Sequence, residues 1–195
     1  MKPVRQAIGG LGNLMFKEAF IYAQMREGKI PDRYVQSTRY WDKYRDEIKA
    51  MFGTDIGNDD RVALQIRRGD YLTSYNFYKD VAASGYYQKA VEHFPNDRFL
   101  VFCYDRQDPN QDKSDREWTK EFLDTFIQGR WEFWEPQSET DDLNKMASCK
   151  GLIMANSTFG WWAGFLGRAQ KVITPHEWFT DGIQRCGLLP EWIKL

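Results

Sequence analysis

The sequence predicts an α/β fold, a doubly wound parallel sheet with helices on both faces, and three observations lead there. Between residues 61 and 175, short apolar runs of strand type alternate with segments of helical spacing, the order produced by parallel strands joined through crossover helices. The main runs, Val62 to Ile66, Phe99 to Tyr104, Gly151 to Ala155 and Lys171 to Thr174, are near-continuously apolar, as strands covered on both faces are. Several of them end abruptly in charged or polar residues, at the strand end where open α/β sheets bind ligands. A chain of 195 residues with 16% aromatics and 8 Trp has ample apolar surface for one sizeable core or two small ones.

Taken in order, Val4 to Ile8 is a strand candidate that runs into Gly9-Gly10-Leu11-Gly12-Asn13, and Leu14 to Met25 follows with helical spacing. Glycines at such a junction let backbone N–H groups and the positive helix end approach a phosphate, which makes Gly10, Gly12 and Asn13 site candidates. The third glycine of the dinucleotide fingerprint is missing, so a tight structural turn fits equally well. Arg39 to Phe52 reads as an aromatic, charged amphipathic helix, and a boundary near Gly57 to Arg61 divides the chain into segments 1–60 and 61–195. The strand from Val62 then delivers Arg67-Arg68-Gly69-Asp70-Tyr71. Guanidinium forks match phosphate oxygens, so Arg67 and Arg68 are candidates for a diphosphate clamp; an ordinary Arg–Asp ion pair at a strand end is the competing reading.

Ser84 to Phe94 is expected to be a helix with Ser84 as N-cap, Phe99 to Tyr104 a strand ending at Asp105, Ser114 to Ile127 a helix, and Trp131 to Trp134 a short strand. Thr140 to Cys149 is a helix whose first-turn Asp141 and Asp142 suit its dipole. The strand at Gly151 then meets Asn156-Ser157-Thr158, whose side chains can cap the next helix or receive a phosphate. Lys171 to Thr174 is the last strand, and Leu188 to Leu195 a short tail.

Composition narrows the function classes. A net charge of -1 and a pI near 6.2 give no basic footprint for nucleic acid. The 3 cysteines lack pair or metal spacing and read as buried thiols. No apolar run approaches the roughly 20 residues that span a bilayer, so the expected location is the cytoplasm, or a membrane surface where a partner holds the protein there. No Asp-x-Asp pair, Gly-Lys-Ser/Thr loop or His/Cys cluster occurs, which disfavours a metal-dependent transferase or an ATPase. What converges at the strand ends is Arg67, Arg68 and Asp70 from one, Asp105 from the next, and Asn156, Ser157 and Thr158 from another. That inventory suits a nucleoside diphosphate, with a carboxylate for guanine N–H groups and Tyr71 or Trp161 to pack a base or sugar.

Gly9 to Phe16, the Arg67 to Tyr71 turn, Tyr86-Tyr-Gln-Lys-Ala90, and Asp142 to Cys149 followed by Ala155-Asn-Ser-Thr-Phe-Gly-Trp-Trp162 resemble, in order, the motifs of the α-1,2-fucosyltransferases, glycosyltransferase family 11. The resemblance implies a GT-B-type fold in which residues 61–195 form the Rossmann-like donor half. It also implies GDP-fucose as donor, no metal or other cofactor, and inverting α-1,2 transfer to a galactose-terminated glycan. Carried onto matching residues, Arg67 binds the β-phosphate, Asp70 braces the arginine turn, Asp142 pairs with guanine, and Ser157 and Thr158 hold phosphate oxygens. Gly10, Gly12 and Asn13 face the diphosphate and fucose.

Three departures stand out. Gln65 replaces the family's usual His two residues before the first arginine, and Leu14 replaces a Gln in the glycine motif. The span from Lys17 to Leu64 is short for the family, so the acceptor side is expected to be a reduced segment, with a second chain as one way to complete it. Asp70 and Glu18 are candidates for the proton acceptor, as is an oxygen of GDP itself. The alternative to an enzyme is a sugar-nucleotide-binding module that no longer transfers.

Overall fold

The computed structural model describes residues 10–27, 38–53, 56–73, 77–105 and 112–195; the strand expected at Val4 to Ile8 lies outside them. In chain order the described elements are α1 (Leu11–Arg26), two 3₁₀ turns (Thr38–Tyr40 and Asp42–Tyr44), α2 (Arg45–Phe52), β1 (Asp59–Ile66), the one-turn α3 (Asp70–Thr73) and α4 (Tyr86–Glu92). They continue with β2 (Phe99–Cys103), α5 (Asp115–Asp124), β3 (Trp131–Phe133), α6 (Glu139–Ser148), β4 (Cys149–Ile153), α7 (Thr158–Leu166), β5 (Lys171–Thr174) and β6 (Ile193–Lys194).

The strands form one sheet in the order β3-β2-β1-β4-β5-β6, every neighbouring pair parallel. This is the Rossmann-like arrangement: the chain winds outward from β1 through β2 and β3, then restarts on the other side at β4. The connections after β1 and β4 therefore leave in opposite directions and open a crevice at their C-terminal ends.

Period-2 alternation assigns each strand residue to a face. Ala63, Leu100, Phe102, Leu152 and Val172 join a core with α1, α2, α6 and α7. Val62, Leu64, Ile66, Val101, Ile153 and Ile173 join a second core under α4 and α5. Helix α7 is apolar all round because it is buried all round. Phe16 of α1 packs its ring 4.7 Å from Trp161 and 5.0 Å from Trp162, and Trp41 stacks on Trp162 at 5.8 Å. The described part of the N-terminal segment thus shares a core with α6 and α7.

Four local expectations change. The helix expected over Arg39 to Phe52 is α-helical only from Arg45; before that it is two 3₁₀ turns that meet at Trp41 and end at Tyr44, the rings that pack on Trp162 and edge-on to Tyr22. Gly85 (φ 74°), not Ser84, caps α4, since glycine takes the left-handed conformation there, and the Ser84 hydroxyl donates to the Val81 carbonyl. Helix α1 begins at Leu11 rather than Leu14. The expected tail contains β6, a strand too short to carry periodicity.

Candidate active site

The turn after β1 is built by one arginine and presents the other. Gly69 (φ 51°) reverses the chain in a conformation that side chains disfavour. Arg68 folds back, its Nε 3.1 Å from Asp115 Oδ1 and its guanidinium carbon 3.7 Å from the Trp118 ring centroid. The other Asp115 oxygen accepts the Gly69 N–H at 3.1 Å. Asp115 is the first residue of α5, behind the N-cap Ser114 and its capping box with Glu117. Burial pushes its carboxyl above the usual range, and the Arg68 guanidinium opposes that shift. The buried carboxylate that grips the turn is therefore Asp115, a residue that sequence reasoning missed. Asp70 opens α3, and its side chain lies outside what is described. Arg67 is exposed, its guanidinium carbon 5.1 Å from the Tyr71 ring centroid.

Across the crevice, the β4–α7 junction is held by a buried amide. Gln65 Nε2 donates to Ser157 Oγ at 3.4 Å, and Gln65 Oε1 accepts the Ala155 N–H at 3.2 Å. Ser157 is the N-cap of α7 and also accepts the Phe159 N–H at 3.3 Å. Both hydroxyl lone pairs are thereby engaged, and the O–H hydrogen is left to offer a ligand. Asn156 donates Nδ2 to the Lys79 and Trp178 carbonyls at 3.0 and 2.9 Å, while its backbone carbonyl accepts the Tyr71 hydroxyl at 2.9 Å.

Helix α1 meets α7 end to end at this point. A Cβ on Gly12 would lie 2.6 Å from the Thr158 carbonyl carbon, an approach only glycine permits. Trp162 Nε1 donates to the Gly12 carbonyl at 2.9 Å, and the Thr158 hydroxyl donates to Asn13 Oδ1 at 3.0 Å. Two helix N-termini, each carrying a partial positive charge, thus open beside Arg67.

All of this borders one cleft of about 900 Å³ at the C-terminal edge of the sheet, a volume in the range of ligand sites. Of the sequence candidates, Gly10, Gly12, Asn13, Arg67, Arg68, Tyr71, Asp142, Asn156, Ser157 and Thr158 line it. Two do not. Trp161 is fully buried between Phe16 and Phe165 and donates Nε1 to the Gly187 carbonyl, so it belongs to the core. Asp105 lies outside the lining, exposed, and accepts the Arg116 N–H at the start of α5. Glu18 is likewise exposed and outside the lining. Asp142 does line the cleft, but its Oδ1 already accepts Trp134 Nε1 at 2.8 Å and the Gln137 N–H at 3.0 Å. Among the described residues no group of acidic, His and Cys side chains is disposed to hold a metal ion, and no helix is long and apolar enough to cross a membrane.

Comparison with known proteins adds a family match. The sequence pattern of glycosyl transferase family 11 fits residues 33–195. O-antigen biosynthesis glycosyltransferase WbnK of Escherichia coli is 25% identical over 200 residues, with 88% of this chain and 62% of that protein covered. The α-1,2-colitosyltransferase of Escherichia coli is 26% identical over 184 residues, with coverages of 82% and 60%. The chain spans about three-fifths of the length of these curated relatives. Among solved structures, the β-Kdo 2,7-transferase KpsC of Thermosulfurimonas dismutans aligns with 94% of this chain and 50% of its own at 16% identity and a TM-score of 0.37, a likeness too loose to bear on function.

Proposed function

The chain belongs to glycosyltransferase family 11, and from that membership and the geometry of the cleft we propose that it transfers fucose from GDP-fucose to a galactoside hydroxyl, making an α-1,2 link by inverting displacement without a metal. The observation that carries the proposal is the convergence of Arg67 with two helix N-termini on one cleft at the sheet's switch point. The leaving group is GDP, and charge accumulates on its β-phosphate as the glycosidic bond breaks. In this reading Arg67, the Ser157 hydroxyl and the N–H groups of α7 meet that charge, already positioned before reaction. Thr158 shares the phosphate contact, and Gly10, Gly12 and Asn13 face the diphosphate and the sugar. Asp142 accepts a guanine N–H through its second oxygen, because Oδ1 is already engaged. Arg68 and Gln65 position the two sides without needing to touch donor. Asp70 braces the arginine turn, and either it or an oxygen of GDP takes the acceptor proton.

The second relative's name favours a close variant in which the donor sugar is colitose, which is fucose without its 3-hydroxyl. The alternative to transfer is a module that binds GDP-sugar without transferring it. One experiment separates these. The protein is incubated with GDP-fucose or GDP-colitose and a set of β-galactosides, with and without EDTA, and products are weighed by mass spectrometry. The proposal expects a product heavier by one fucose, 2-linked on galactose and unaffected by EDTA. GDP binding with no product from either donor refutes transfer.

A further inference from the structure

The end of the cleft beyond β5 carries a surface of which only Tyr71 has been given a role above. Two loops, one entering at Phe77 and one following β5, are clasped by an antiparallel bridge between Tyr78 and Phe179, by the Lys79 N–H on the Trp178 carbonyl at 3.1 Å, and by the Thr180 N–H on the Phe77 carbonyl at 3.0 Å. The clasp sets four rings in a row. Tyr71 stacks on Tyr78 at 4.2 Å, Tyr78 meets Phe77 at 4.8 Å, and Phe77 meets Phe179 at 5.0 Å. Arg185 lies over the last two, its guanidinium carbon 5.2 and 4.8 Å from the ring centroids of Phe77 and Phe179. Asp181 grips it through both carboxylate oxygens, and the Ile183 carbonyl takes a further N–H. All of these rings and Arg185 line the same cleft as Arg67. Of these rings Phe179 is buried, and Phe77 is 43% exposed on the cleft.

We infer that this aromatic row with Arg185 is the acceptor subsite, on which a galactose-type pyranose stacks its apolar C–H face while its hydroxyls meet the guanidinium. The occupant follows from the strand order, and the inference rests on the donor reading above. Trp134 and Asp142, the guanine end, lie beside β2, where Trp134 packs 6.2 Å from Phe102. Arg67 follows β1, Ser157 follows β4, and Trp178 and Phe179 follow β5. From β2 to β5 the sheet edge runs through about 14 Å at ~4.8 Å per strand. A nucleotide laid with its base at β2 and its phosphates at the switch point therefore directs its sugar toward the aromatic row. Pyranoses present a flat patch of C–H bonds on one face and hydroxyls around the rim. Phe77 stands edge-on to Tyr78 and Phe179, at 83° and 65°, and its exposed ring with a fixed cation beside it matches both.

The test is kinetic. On the β-galactoside that serves the wild-type protein best, Phe77→Ala raises the acceptor KM about 10-fold, the expected worth of one lost stacking partner, and leaves the GDP-fucose KM and the GDP Kd within about 2-fold. Phe77→Tyr restores the acceptor KM. An unchanged acceptor KM, or a rise in the donor KM instead, overturns the inference while leaving the donor reading intact. Should the wild-type protein bind GDP without turnover, saturation-transfer NMR with methyl β-galactopyranoside and GDP takes the place of kinetics. Transfer to the sugar that is lost in Phe77→Ala supports the subsite; no transfer in the wild type, or equal transfer in both, refutes it. Absence of GDP binding in the wild type refutes the donor reading and this inference together.

Discussion

Replacing Gly12 by Ala puts the contact between α1 and α7 under direct strain. The added methyl would sit 2.6 Å from the Thr158 carbonyl carbon, 2.7 Å from the Phe159 nitrogen and 2.8 Å from the Thr158 oxygen, all backbone atoms that cannot rotate away. Ordinary contact needs roughly 1 Å more, so the first turn of α1 must back off from α7 by about that amount. The shift strains the Trp162 to Gly12 and Thr158 to Asn13 hydrogen bonds and draws the two helix N-termini apart. Overpacking of this kind costs about 1–3 kcal/mol, only partly offset by alanine's better helix propensity. For catalysis, a misplacement of about 1 Å in a phosphate-binding constellation costs about 100-fold. Thermal unfolding and initial transfer rates are the assays. Gly10→Ala is the stability control, because a methyl there meets nothing within 4 Å. If Gly12→Ala kept the wild-type Tm and rate, the two helix ends would not be held in the tight contact on which the phosphate site depends.

Other perturbations probe separate parts of the account. Asp115→Ala leaves Arg68, with 10% of its side chain exposed, without its carboxylate, and should lower stability by about 3 kcal/mol in urea unfolding. A loss under about 0.5 kcal/mol would show that Asp115 does not hold the turn. At the far end of β1, Asp59 pairs with Arg61 and Lys145, and the Arg61 hydrogen bond first of all holds its carboxyl well below the usual range. Because the folded-state value is depressed, its stabilisation is complete above pH ~4 and drains away as pH falls further. Asp59→Asn should flatten that acid limb in denaturation curves, and an unchanged limb would contradict the pairing. Burial pushes the Cys103 thiol to about 11 and Cys149 to about 12, and raises Cys186 further. At pH 8 the thiolate of Cys103 is then about one part in a thousand, so the three thiols should react with a disulfide reagent only after unfolding. Rapid labelling of the native protein would refute their burial.

The sheet was largely legible in the residues because parallel strands covered on both faces must be apolar throughout, which marks Val62 to Ile66 and Phe99 to Cys103 without ambiguity. Strand β6 escaped because two residues carry no period. The helix expected from Arg39 failed where tertiary packing of Trp41 and Tyr44 overrode local propensity. At the site, residues contiguous in sequence were readable and partners across the fold were not. The Asp115 grip on Arg68 joins α5 to the end of β1 and has no local signature. The helix was expected from Ser114, but nothing local announces the inward turn of its first carboxylate. Trp161 and Trp162 sit on a helix apolar on every side, so periodicity could not say which ring faces the cleft, and neither does. Gln65 stood out as a departure from the family pattern, and its bonds to Ser157 and Ala155 show what an amide does there.

The central claim is that Arg67 and the paired helix ends bind the diphosphate of a sugar nucleotide. Titration calorimetry of GDP into the wild-type protein and Arg67→Ala tests it most directly. Arg67 is exposed, so a variant that still unfolds cooperatively at its own Tm reports on binding rather than on loss of the fold. GDP should bind the wild type at one site per chain and bind Arg67→Ala about 10- to 100-fold more weakly, the worth of a charge-assisted phosphate contact. Equal affinity in the two proteins, or no GDP binding by the wild type, would contradict the account.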